Sequence, residues 1–171
     1  MSEHYIQAKS GNYFLHVIRL YALFHLAFII TGGILYYRKT GFSTVRIYES
    51  VRGSEETLQF FPGSEDHFVN PATPRGLLKV ALPHFLAFAL VLFIAIHLLT
   101  SLGANRSFLQ YFTVFAFSVA FLEMFFSLLL LLGPDWLVYI RLPVFFLFLL
   151  SQSWLAGMFF LPVAANNHER E

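Results

Sequence analysis

The run Leu82–Thr100, LPHFLAFALVLFIAIHLLT, holds a histidine toward each end. It is long enough to cross a bilayer, and an ionisable side chain inside a spanning helix is costly enough to mark a functional position by default. An imidazole there can ligate a metal, move a proton or hydrogen-bond a neighbouring helix. His84 and His97 lie thirteen residues apart, which at about 100° per residue puts them roughly 140° apart around the helix. They do not share a face, so each needs its own partner on another element.

The same chemistry recurs in the other apolar runs, as His16 and His25 in the first, Glu123 in the third and Arg141 in the fourth. Depth follows from a rise of about 1.5 Å per residue from each helix centre. His97 falls roughly 9 Å, and His16 roughly 14 Å, toward the N-terminal side. His25 lies near the midplane, and His84 lies roughly 10 Å toward the side of the long loop. A b-type haem between facing helices needs two imidazoles at similar depth, which His97 supplies with His16 or, second, with His25.

Glu123 sits roughly 4 to 5 Å toward the loop side and is the most costly residue to leave ionised and alone. It is protonated, paired with His25, His84 or Arg141, or a ligand. His25, His84 and Glu123 together make a donor set for Zn, Cu or Fe, or a proton route to a quinone. Arg141, a few residues into the last run, can instead snorkel to the surface. The plainer reading of each histidine is an interhelical hydrogen bond, with Gln152, Ser151 and Ser153 as further glue.

The composition decides the solvent. Of 171 residues 57% are hydrophobic, only 12% are charged and 22 are Phe, and the mean hydropathy is +0.65. That identifies an integral membrane protein, since a soluble domain carries about twice that share of charge. A formal charge of +1 argues against a nucleic-acid partner. The absence of cysteine excludes disulfides, iron–sulfur clusters on cysteine, zinc–thiolate sites and covalent c-type haem. No nucleophile elbow, phosphate loop or HExxH helix supports hydrolysis or phosphoryl transfer.

The expected fold is an all-α bundle of four transmembrane helices in a single domain, 1–171, with one irregular extramembrane loop between helices 1 and 2. The spans are placed at about 13–37, 76–101, 108–132 and 136–161. The first is read as a retained helix rather than a cleaved signal, because its apolar run is too long and lacks a small-residue cleavage site. Tyr13, Tyr36 and Tyr37 are expected as interfacial anchors, and Gly32 and Gly33 as a packing site. In the loop, 38–73, Ser43 and Gly53 bracket a short amphipathic surface helix, 44–52. The segment after it, with Glu55, Glu56, Glu65, Asp66 and His67, is expected as an irregular cap able to dock a partner or bind a metal. Thr73 before Pro74 starts the second span, which Pro83 should kink. Ser107 should cap the third, and Asp135 the fourth, where Pro143 is a second kink and Pro162 lies beyond the end. Basic residues outnumber on the loop side, which places the loop in the cytoplasm and fits a bacterial inner membrane.

In architecture, with His84 and His97 in one span and His16 and His25 in another, the chain resembles the small four-helix membrane b-type cytochromes. These include the cytochrome b561 group and the membrane subunits that link hydrogenases or formate dehydrogenases to quinone. That resemblance implies haem b between helices and electron transfer between a docked partner and the quinone pool. The segment PHFLAFALVLFIAIH, after a loop ending in NPATP, is similar to a group of bacterial four-helix membrane proteins. Two other functions remain open: a cofactor-free accessory subunit of a larger membrane complex, and an intramembrane metal site.

Overall fold

Thr73 and Pro74 open the helix that carries His84 and His97. The Thr73 hydroxyl accepts the Gly76 N–H at 3.1 Å, and Pro74 takes the first helical position, where its missing N–H costs nothing. The computed structural model describes residues 2–63 and 69–160, with side chains from residue 14 onward. Its helices are α1 (Ser2–Thr40), α2 (Thr44–Arg52), α3 (Ser54–Phe60), α4 (Pro74–Ser101), α5 (Arg106–Leu132) and α6 (Val138–Met158). A 3₁₀ turn, Asp135–Leu137, leads into α6. The described residues contain no strand.

Four stretches are long and apolar enough to span a membrane: Phe14–Thr40, Pro74–Ser101, Arg106–Leu132 and Asp135–Met158. The all-α four-span fold is therefore as expected. The fully buried Ala22, Ala95, Ala116, Ala120 and Ala156 let the spans approach closely around the bundle axis. α5 lies between α4 and α6, and α1 packs on α6. α1 reaches α4 through side chains, with Tyr21 donating to the Val91 carbonyl at 2.8 Å and Phe28 against Phe88. The outside is apolar, as bilayer contact requires: Phe24, Tyr111 and Leu132 are each more than 70% exposed.

α2 lies across the loop end of the bundle and buries Ile47, Tyr48 and Val51 against Phe126, Leu130, Val138 and Val144. Ser43 precedes it as expected, although its hydroxyl makes no capping bond. Gly53 then turns the chain at φ +86, and a Cβ there would meet the Pro71 nitrogen at 2.9 Å and the Val69 carbonyl at 3.0 Å. Both the dihedral and the crowding demand glycine.

Several expectations need correction. The segment after Gly53 is not wholly irregular, because Ser54–Phe60 forms α3, tied to the returning chain by Ser54 N–H to Val69 O. α5 starts earlier than expected: Asn105, rather than Ser107, caps it by accepting the Phe108 N–H. Asp135 begins a 3₁₀ turn without capping it, and its carboxylate serves α2. α1 runs on to Thr40, beyond the expected end, while Pro83 and Pro143 lie inside α4 and α6, the positions from which kinks are expected. Glu65, Asp66, His67, Leu161, Pro162 and the Tyr13 side chain lie outside what is described.

Candidate functional site

α5 and α6 form a hairpin about Gly133 and Pro134. A Cβ on Gly133 would meet the Leu129 carbonyl and the Leu137 side chain, both at 2.7 Å, so the turn is built for glycine. Glu123 and Arg141 are equidistant in sequence from Leu132, which brings them to the same depth on facing helices. They meet there. Arg141 Nη1 donates to Glu123 Oε2 and, at 3.4 Å, to the Glu123 backbone carbonyl. Both residues are buried, at 5% exposure for Glu123 and 8% for Arg141. Arg141 is therefore not snorkelled to the surface.

Aromatic rings hold the cation. The Arg141 guanidinium carbon lies 5.5 Å from the Tyr36 ring centre and 5.4 Å from that of Phe126. Tyr36 in turn stacks on Phe145 at 3.8 Å and 14°. Desolvation strengthens such cation–π contacts. The Tyr36 hydroxyl is buried and has no hydrogen-bond partner among the described residues.

α2 roofs this cluster through contacts of a different kind. Tyr48 donates to Asp135 Oδ1 at 2.7 Å. Arg52 donates from Nε to the Leu130 carbonyl at 3.1 Å and from Nη2 to the Gly133 carbonyl at 2.6 Å. These carbonyls close α5, where the helix dipole is negative and a cation is favoured. Arg52 also pairs with Asp135 at 3.5 Å and Glu56 at 3.4 Å. Burial, then the hydrogen bond to Asp135, push the Tyr48 hydroxyl above the ordinary tyrosine range.

The histidines separate. His25 is buried on α1, stacked on Tyr21, beside the backbone and side chain of Gln152. Among the described residues its Nε2 and the Gln152 Oε1 each lack a partner of good geometry. His16, His84 and His97 lie on the outside of the bundle. His84 Nδ1 bonds the Val80 carbonyl of its own helix at 2.7 Å, and His97 stacks on Phe93. Among the described residues no three His, Asp or Glu side chains gather as metal donors, so His25, His84 and Glu123 do not form one centre. His97 and His16 face outward, and the α1–α4 groove is lined by His25 alone among the histidines.

Residues 41–170 match the Aq_1264_TM family, described as a transmembrane helical domain. The chain belongs to this family. No curated protein and no solved structure matches it. The matched Aq_1264_TM region contains Tyr48, Arg52, Glu123, Asp135 and Arg141, whereas Tyr36 and His25 precede it on α1.

Sequence reasoning named Glu123 and Arg141 and missed the roles of Tyr36, Tyr48 and Arg52. Tyr36 was expected as an anchor like Tyr37, and only Tyr37 is exposed. The missed signal is the seven-residue repeat of the buried α1 face, in which His25 follows Ile18 and Tyr36 follows Ile29.

Proposed function

We propose that the chain is a membrane-embedded subunit of a larger complex, and that Glu123, Arg141 and Tyr36 form its intramembrane proton-handling site. The reading rests on one observation, a buried carboxylate–guanidinium pair beside an unsatisfied phenol. Removing two charges from water costs several kcal/mol per ion, and apolar residues of similar size hold a hairpin as well or better. An ionised pair kept in hydrocarbon is thus better explained by chemistry than by packing. Glu123 takes up and releases the proton, Arg141 balances the carboxylate charge, and the Tyr36 hydroxyl offers a donor to an incoming oxygen. A partner redox subunit exchanging electrons with the quinone pool needs such a protonatable group within the bilayer.

The orientation follows from charge. Arg38, Lys39, Arg46, Arg75 and Lys79 are exposed at the loop end, which by the positive-inside rule supports a cytoplasmic loop end in the bacterial inner membrane of this proposal. Partner subunits dock at α2–α3 on that side.

To test the reading, the chain is purified with its partners from native membranes and quinone-linked turnover is measured for Glu123→Gln. Turnover falls at least tenfold at equal incorporation if the carboxyl moves protons; turnover equal to wild type removes Glu123 from the mechanism.

A second reading keeps haem b through the exposed His97. An imidazole on the outer face of α4 is placed to ligate iron at a subunit interface, with the other axial ligand from a neighbouring chain. A reduced-minus-oxidised spectrum of the intact complex tests it, since His97→Ala then removes an α band and leaves the spectrum unchanged otherwise.

A further inference from the structure

α1 and α4 are bridged where Tyr21 donates to the Val91 carbonyl at 2.8 Å, and again where Phe28 meets Phe88 with ring centres 5.3 Å apart. The two bridges are seven residues apart on α1, about 10 Å. Between them lies a groove of about 270 Å³, walled also by Phe24, His25 and Ala87. Phe24 and Ala87 are exposed at its rim, whereas His25 and Phe88 are buried, at 5% and 6% exposure. The whole lining lies within two membrane-spanning stretches, so the groove opens to hydrocarbon rather than to water.

One polar side chain of this lining is uncommitted. The Tyr21 hydroxyl is engaged by Val91, and the Tyr21 ring stacks on the imidazole of His25 at 6.2 Å and 9°. His25 Nε2 has no hydrogen-bond partner among the described residues, although Gln152 lies beside the ring. In hydrocarbon no water replaces a missing partner. The occupant that completes the site therefore arrives from the bilayer, carries a hydrogen-bonding oxygen and lays a flat ring on aromatic walls. An acyl chain would fill the space and leave the imidazole unpaired. A metal ion would find one side-chain nitrogen and neither acid nor thiolate in this lining. The volume falls just below the roughly 300 to 1,000 Å³ of drug-sized pockets, which suits one substituted ring rather than a whole lipid.

We infer that the α1–α4 groove binds the headgroup of an isoprenoid quinone, with a ring oxygen on His25, the ring against Phe28 and Phe88, and the tail leaving past Phe24 into lipid. The choice of a quinone rests on the quinone-linked reading above. A neutral imidazole has one N–H donor and one acceptor nitrogen, so it serves a quinone carbonyl and a quinol hydroxyl alike. His25 stands eleven residues before Tyr36 on α1, about 16 Å away, so the groove is distinct from the Glu123–Arg141 site.

The test is photolabelling of the full chain in phosphatidylcholine vesicles with an azido-quinone carrying a decyl tail, the adducts being mapped by mass spectrometry. Label should concentrate on 21–28 and 87–91 and be displaced by excess decylubiquinone but not by decylbenzene, which keeps ring and tail and lacks the oxygens. His25→Leu should weaken the displacement by decylubiquinone about tenfold. Ala87→Phe, at an exposed position of the rim, should remove most of the label while the unfolding temperature stays that of the wild type, and it carries the test alone if His25→Leu does not insert. Label spread over the outer faces of the spans, equal displacement by decylbenzene, or undiminished label on Ala87→Phe would overturn the site. Labelling is read without turnover, so wild-type turnover of Glu123→Gln leaves a labelled groove standing, and an unlabelled groove leaves the proton-handling site to its own test.

Discussion

Arg141 of α6 meets the Glu123 carboxylate of α5 inside the bundle, with its guanidinium against the rings of Tyr36 and Phe126. Removing one partner leaves the other charge buried and unpaired, which costs about 3 to 5 kcal/mol. Arg141→Met or Glu123→Leu alone should therefore lower the thermal unfolding temperature in detergent markedly. The double variant should recover most of that loss, because no charge is then stranded. Equal destabilisation by the double and single variants would show that the pair itself holds the hairpin.

Arg52 closes α5 by hydrogen bonds to Leu130 and Gly133 that need two nitrogens of one planar fork. Lysine keeps the charge but not the fork. Arg52→Lys is expected to loosen α2 by about 1 to 3 kcal/mol, seen as faster amide exchange over 44–60 with the spans unaffected. Unchanged exchange would mean that the apolar face of α2 suffices.

Tyr48 makes the roof sensitive to alkali. Its hydroxyl is raised above the ordinary tyrosine value by burial and by donation to Asp135, so the folded state favours the protonated form. That stability is present in full below the unfolded value of about 10 and declines as pH rises above it. Limited proteolysis of 44–60 should accelerate above about pH 10 in the wild type. Tyr48→Phe should abolish this pH dependence while losing about 1 kcal/mol throughout. The same alkaline acceleration in Tyr48→Phe would assign it to another group.

Gly53 turns α2 into α3 at a positive φ with Pro71 and Val69 against its α-carbon. Gly53→Ala adds a methyl at about 3 Å from both and should cost at least 1 to 3 kcal/mol. The α2–α3 segment should become protease-sensitive, whereas Gly63→Ala, also at positive φ but with no described atom within 4 Å of the added methyl, should disturb it less.

The spans were legible because hydrocarbon leaves the chain no alternative to internally bonded helices, and Thr73–Pro74 was legible because capping is local. α3 was not, because Ser54–Phe60 owes its place to the Gly53 turn and the Val69 tie, neither visible in seven polar-rich residues. Asp135 read as a cap because aspartate before a helix usually is one; Tyr48 and Arg52, far away in sequence, claim its carboxylate instead. Sequence alone leaves the partner of Glu123 open among His25, His84 and Arg141. The equal spacing of Glu123 and Arg141 about the tight turn favours Arg141, but side-chain direction on α4 and α5 decides it. His84 and His97 lie outside because Leu92, Ala95 and Leu99 form the core stripe of α4, and His16 lies outside because Ile18 and Ala22 form that of α1.

The most direct test of the proton-handling site separates chemistry from packing. Glu123→Leu/Arg141→Met is introduced together and quinone-linked turnover of the purified complex is measured per incorporated chain. Normal assembly and stability are expected, with turnover reduced at least tenfold. Wild-type turnover from the apolar pair would contradict it and leave Glu123 and Arg141 as packing groups.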